Sequence, residues 1–345
     1  MKVIIVGGGF CGALVAKKLE KFKNISTTLI DKKSYFEYQP SLPKVIYKPS
    51  YISKIRKQYS TFLKNTNIIV EPITKVSKNY IETTKSKISY DILVVSTGIE
   101  YPVFLKNKKN VHILKNGYET LEISKKIKNS SHVLIVGGGV IGTEVAGEIV
   151  EKFPNKKLTI IHSKNKFLNR LPIDSSEYVL NYFIKNGVEI IFEDKVIENK
   201  KGVFITKKGR EISADLCIWC AGIKYNPYFM KNFSNICFSK RNAMNVNDYL
   251  QLKGFKNIFI GGDITSIIEE KTARKSELHA KIIVNNIKNM LHKKPLVAYR
   301  TGTSPMVISL GDWRGIIIYK YVFPGLFIPG ILKWLIQWWF IRNLK

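Results

Sequence analysis

The chain has 345 residues, 45% of them hydrophobic and 12% aromatic, enough for packed cores in about two domains and too apolar for a disordered or low-complexity protein. Lys and Arg number 56 against 26 Asp and Glu, a net charge of +30 that favours anionic partners such as nucleotides or acidic lipid. The lysines are spread along the whole chain, so a solvated surface explains much of the excess equally well, and no specific nucleic acid is expected. Cys11, Cys217, Cys220 and Cys237 are too few and scattered to staple a secreted fold, which points to a reducing compartment. The five histidines show no paired ligand spacing, so no metal site is expected.

The first strand is predicted to start at residue 2, leaving no room for a cleavable leader, and Lys2 excludes a myristoylation motif. The apolar residues 3–6 lead into Gly7, Gly9 and Gly12 and then a helix-compatible run, which is the order strand, glycine turn, helix. In that arrangement the first glycine turns the chain, the second admits a pyrophosphate and the third lets helix and strand pack closely. The pyrophosphate then sits at a helix N-terminus, where free N–H groups and the helix dipole favour negative charge. The next strand, STTLID, ends in Asp31, placed to accept hydrogen bonds from ribose hydroxyls. This first unit reads as an FAD site, with Phe10, Cys11 and Lys32 as further contacts.

The pattern recurs at residues 132–136, followed by Gly137, Gly139, Gly142 and another helix, with Val140 and Ile141 inside the turn. Here the second strand ends in His162, Ser163 and Lys164 instead of an acid. A carboxylate there would repel a 2′-phosphate, whereas a hydroxyl with Lys164 and Lys166 accepts it, so NADPH is expected alongside NADH. Cys217 and Cys220 spell CxxC, but ADLCIWCAG reads as a buried strand whose residues three apart face opposite ways, with no helix N-terminus to activate a thiolate.

The chain closes on YVFPGLFIPGILKWLIQWWFIRNLK. Pro324, Gly325, Pro329 and Gly330 interrupt it, and the helix-compatible residues 331–341 would reach only about 16 Å across a hydrocarbon core of about 30 Å. On a helical wheel Ile331, Trp334, Leu335, Trp338 and Ile341 share one face and Lys333 and Gln337 the other, with Arg342 and Lys345 at the end. This reads as an interfacial anchor for anionic lipid, separable from the nucleotide-binding cores. A homodimer interface or a core-packing helix is the competing reading.

These motifs resemble the two-dinucleotide-binding-domain flavoproteins, and within them the type II NADH:quinone oxidoreductases and the apoptosis-inducing-factor-like ferroptosis suppressor proteins. The resemblance extends through FEYQPSLPKVI, DILVVSTGIEYP, LCIWCAGIKYNP and NVNDYLQLKGFKNIFIGGDIT to KTARKSELHAKIIVNNI. It implies an α/β fold of two Rossmann-like domains, the NAD(P) domain inserted in the FAD domain, with a C-terminal membrane-interacting segment. The boundaries it implies are residues 1–110 and 236–300 for FAD, 111–235 for NAD(P)H and 301–345 for the C-terminal segment. It adds Pro40, Val76, Thr97, Gly98, Gly222, Gly262, Asp263, Lys271, Thr272 and Ala273 to the cofactor contacts, with Asp263 on the ribityl and pyrophosphate part of FAD. It makes Glu144 a candidate near the nicotinamide, the alternative being a cap on its own helix. Arg274 and His279, which replace a Gln-Gln pattern of the dehydrogenases, become candidates for meeting a quinone carbonyl.

The expected activity is transfer of hydride from NAD(P)H to FAD and of electrons to a membrane quinone, by a peripheral enzyme on the cytoplasmic side. A soluble reductase of ferredoxin or rubredoxin and a non-catalytic FAD-binding interaction protein are the alternatives.

Overall fold

The structure, a computed structural model, describes residues 1–344. Its first sheet is wholly parallel and runs Ile258–Ile260, Ile92–Val95, Lys2–Val6, Ser26–Asp31, Thr66–Val70. A parallel sheet is covered on both faces, which is why its strands read as unbroken apolar runs. The period of two then divides each strand between two cores: Val3, Ile5, Leu29 and Val94 enter one, Ile4, Val6, Ile30 and Val95 the other.

A second parallel sheet runs Val111–Ile113, Leu216–Trp219, His132–Val136, Lys157–His162, Glu189–Phe192. The chain leaves the first sheet after Val95 and returns to it at Ile258, so the second unit is inserted in the first. The outgoing and returning segments pair at Glu100 and Lys224, whose backbones exchange two 2.8 Å hydrogen bonds. The helix Ala273–Leu291 then packs on the first helix, Phe10–Leu19.

The last part differs from the sequence reading. Met306–Leu310, Arg314–Ile318 and Val322–Leu326 form an antiparallel sheet, and Pro324 and Gly325 lie in its edge strand, where a missing N–H costs no ladder bond. This sheet sits on the helix Val140–Lys152, at a spot where a Cβ on Gly147 would lie 2.5 Å from the Leu310 Cα.

The closing helix spans Ile328–Asn343, about 24 Å long, and no helix among the described residues is long and apolar enough to cross a membrane. Its expected amphipathic division is present, with the apolar face outward and the polar face buried against protein. Lys333, Gln337 and Phe340 face the protein, and Ile331, Trp334, Leu335 and Trp338 face outward. Phe340 packs on Phe10, Phe36 and Tyr38 with ring centroids 5.0 to 5.6 Å apart. The helix is therefore part of the core, which overturns the expectation that it can be detached from it.

Candidate functional site

The two glycine turns are near copies. Gly7 and Gly137 have φ of 94° and 118°, and a Cβ would put Gly7 2.5 Å from the Ser96 carbonyl oxygen and Gly137 2.9 Å from that of Cys220. Both the torsion and the contact therefore require glycine. A Cβ on Gly12 or Gly142 would collide with the carbonyl oxygen of Gly7 or Gly137. Around Gly9 and Gly139, by contrast, no protein atom lies within 4 Å of that position. The space is left open in front of two helix N-termini that carry no acidic residue in their first turns, a fit for a pyrophosphate at each.

This geometry separates two variants. Gly9→Val is expected to fold and to purify colourless, because only a bound pyrophosphate occupies that space. Gly12→Val is expected to be insoluble because it breaks the turn itself. Retained flavin in Gly9→Val, measured by its visible absorbance, contradicts the assignment.

Asp31 ends its strand with Oδ2 accepting from the Gly8 N–H at 2.5 Å and from the Tyr59 hydroxyl at 3.3 Å, while Lys32 beside it is exposed. Thr97 and Gly98 lie at the end of the neighbouring strand, with open space around Gly98, and Pro40 is half-buried. Val76 is fully buried, leaving only its backbone for a ligand. Cys11 packs under Gly261, where any Cβ would strike its Sγ, and burial pushes its thiol pKa up, with Asp263 adding to the effect.

Gly262, φ 73°, places Asp263 in a pocket where burial lifts the carboxyl to about 6 against the pull of Lys271. Lys271 Nζ donates to the Thr265 and Ile267 carbonyls. Thr272 caps the following helix by accepting from the Lys275 N–H at 3.2 Å, and Ala273 begins it.

At the second strand end, His162 lies under Gly138, whose Cβ would sit 3.0 Å from the ring, and its buried Nε2 has no hydrogen-bond partner among the described residues. Burial lowers the His162 pKa, and Lys164 lowers it further. Ser163 and Lys164 are exposed beside it, and Gly222 has a φ of 81° in the loop after the CxxC strand. Cys217 and Cys220 are free thiols on opposite faces of that strand, and burial raises Cys220 to about 12, so neither forms a reactive thiolate.

The two residues expected to meet a quinone, and Glu144, expected near the nicotinamide or as a cap on its own helix, are placed as follows. His279 is 1% exposed; its Nδ1 accepts from the Gly262 N–H at 3.0 Å, and its Nε2 lies 3.0 Å from Glu269 Oε1. It braces the Asp263 turn from behind. Arg274 points to solvent and pairs with Glu277 at 3.0 Å, one turn along the same helix. Glu144 does not cap its own helix: its buried Oε1 accepts from Lys333 Nζ at 2.6 Å and from the Ser309 N–H at 3.1 Å.

Lys333 Nζ also donates to Ser309 Oγ at 2.9 Å, and Gln337 Oε1 accepts from the Ser41 and Tyr51 hydroxyls at 2.6 and 3.0 Å. The FAD turn at Phe10, the FEYQPSLP loop, the second nucleotide helix and the closing helix thus converge on one buried junction. Lys333, Gln337 and Phe340 are the residues that the sequence reading missed as part of it. Their spacing of four and then three was the available signal, because polar side chains in an apolar helix are the ones that need protein partners.

Two parallel-sheet units, one inserted in the other and each with a glycine cradle for a dinucleotide, define a two-nucleotide flavin oxidoreductase. The chain belongs to the pyridine nucleotide-disulphide oxidoreductase family, whose model matches residues 1–281. It is 31% identical to apoptosis-inducing factor homolog A of Dictyostelium discoideum, over 96% of this chain and 88% of that protein. It is 29% identical to ferroptosis suppressor protein 1 of Taeniopygia guttata, over 96% and 92%.

In fold it is similar to the sulfide:quinone oxidoreductase of Aquifex aeolicus, with a TM-score of 0.90 at 19% identity over 99% of this chain and 91% of that one. NDH2 from Plasmodium falciparum in complex with NADH gives 0.88 at 18% identity, over 100% and 94%. The resemblance read from the motifs is borne out, and the chain is an FAD-dependent NAD(P)H oxidoreductase.

Proposed function

We propose that this oxidoreductase delivers its electrons to a quinone and works at a membrane surface, as a peripheral enzyme on the cytoplasmic side. The observation that carries this reading is the position of the closing helix. Its inner face holds Lys333 and Gln337 in the buried junction, and its outer face is an apolar surface exposed to solvent. Trp334, Trp338 and Trp339 are outward, Trp339 at 58% exposure; Phe327 and Ile328 at the start of the helix and Trp313 and Phe323 of the adjoining sheet are exposed as well. Exposed apolar area of this extent marks a docking surface, and tryptophans with the Arg342 guanidinium 4.9 Å from the centre of the Trp338 ring suit an anionic lipid interface.

The bound flavin supplies hydride acceptance from the nicotinamide and two-electron delivery to the acceptor. The chain's own residues position and charge the site. Lys333, held between Glu144 and Ser309, presents an ammonium where negative charge develops on an acceptor oxygen. Phe10, Tyr38 and Phe340 keep water out of the junction.

Steady-state NADH oxidation tests the reading. Long-chain quinone in anionic liposomes should turn over faster than ferredoxin or rubredoxin; the reverse order, with no liposome binding, contradicts it.

His162, Ser163 and Lys164 leave the second strand end without a carboxylate. NADPH is therefore expected within about tenfold of NADH, a gap of about 1.4 kcal/mol. Replacing Lys164 and Lys166 with Ala should weaken NADPH alone in a binding titration. Equal loss of both nucleotides would mean that these lysines do not read the 2′-phosphate.

A further inference from the structure

Reducing a quinone to a quinol with NAD(P)H takes up one proton from solution in addition to the hydride. A site closed by protein on one side and lipid on the other needs a route for that proton. Resting on the quinone reading above, we propose that Glu148 relays it from a solvent-reached cluster of Lys44, Tyr47, Glu151, Lys152 and Asp312 to the Glu144–Lys333 pair.

Glu148 lies on the helix Val140–Lys152, one turn beyond Glu144 and one turn before Glu151 and Lys152, so the carboxylates share a face of that helix. It is 0% exposed, and neither carboxyl oxygen has a hydrogen-bond partner among the described residues. A packing role would favour an apolar side chain, since a buried unpartnered carboxyl costs several kcal/mol when ionised.

Around it the charged groups are arranged in two sets. Outward, Asp312 accepts from Lys44 at 2.9 Å and from Tyr47 at 3.0 Å and lies 2.8 Å from Lys152, which in turn lies 2.6 Å from Glu151. About a quarter of the Asp312 and Lys152 side chains is exposed, so this set meets water. Inward, Lys333 is bonded to Glu144 and Ser309. Burial raises the Glu148 carboxyl to about 8, with Lys44 and Lys333 opposing and Asp312 and Glu151 reinforcing the rise. A carboxyl in that range can both hold and release a proton near neutrality.

The transfers balance as follows. Lys333 gives a proton to the quinone oxygen, breaking one N–H bond and forming one O–H bond. Glu148 passes its proton to the Glu144 carboxylate, which returns it to the Lys333 amine. The Glu148 carboxylate then takes one proton from water at the Lys44–Asp312 cluster. Lys333, Glu144 and Glu148 end in their starting states, and one solvent proton has entered the quinol.

The experiment compares Glu148→Gln with wild type, using long-chain quinone in liposomes and ferricyanide, an acceptor that takes an electron and no proton. Quinone turnover of the variant should fall about tenfold or more, while ferricyanide turnover stays within about twofold. Wild-type quinone turnover should decline above about pH 8, as Glu148 loses its proton, and that break should vanish in the variant. Glu148→Asp should recover part of the rate.

Unchanged quinone turnover in Glu148→Gln, or an equal fall with both acceptors, overturns the relay while leaving the quinone reading intact. If wild type reduces ferricyanide but not quinone, the quinone reading falls and the relay with it. Should Glu148→Gln fail to retain FAD, Glu148→Asp and the solvent isotope effect of wild type decide. That effect is expected with quinone and not with ferricyanide, and equal effects with both contradict the relay.

Discussion

Lys333→Met is expected to cost about 3 kcal/mol of stability and to slow quinone reduction about 100-fold, with FAD retained. The stability loss comes from Glu144, which is buried and would keep only the Ser309 N–H as a partner. Removing one member of a buried pair strands the other charge, so Lys333→Met with Glu144→Gln should be more stable than Lys333→Met alone. Quinone turnover should stay low in the double variant, because the ammonium is still missing. Thermal unfolding of the four proteins of the cycle separates the two effects. If turnover recovers together with stability, Lys333 is a structural tie and has no part in the chemistry.

Replacing Trp334, Trp338 and Trp339 with Asn is expected to release the protein from anionic liposomes. Three partly exposed indoles that enter the interface contribute several kcal/mol together, a loss of about a hundredfold or more in binding. Flavin content and reduction of a water-soluble dye should be kept, because none of the three belongs to the inner face of the helix. Turnover of a long-chain quinone should fall far more than that of a short, water-soluble quinone.

Deleting the chain from Pro329 is a poorer test. It uncovers Phe10, Phe36 and Tyr38 and strands Glu144, so loss of FAD is the expected outcome. Liposome binding that survives the tryptophan replacements would assign the patch to another partner, and sedimentation would show whether that partner is a second copy of the chain.

The nucleotide units were legible in the sequence because their requirements are local. Gly7 and Gly137 need positive φ, Gly12 and Gly142 need to touch them, and apolar strands flank each turn. The junction around the closing helix was not, because its residues come from distant parts of the chain. Ser41 meets Gln337 across 296 positions and Glu144 meets Lys333 across 189, contacts that no periodicity encodes. The wheel of the closing helix separated polar from apolar residues correctly. It could not say which face meets protein, because one face buries Lys333 and Gln337 against partners while apolar side chains remain outside. His279 is a related case: its place after the Asp263 motif suggested the acceptor, while its ring holds the Gly262 turn from behind.

The most direct test of the quinone assignment is anaerobic mixing in two steps, followed by flavin absorbance. NADH or NADPH should bleach the flavin, and long-chain quinone added afterwards in liposomes should restore the colour at a rate no slower than steady-state turnover. Bleaching that quinone fails to reverse, while ferredoxin or rubredoxin reverses it, would contradict the assignment and make the protein a soluble electron-transfer reductase.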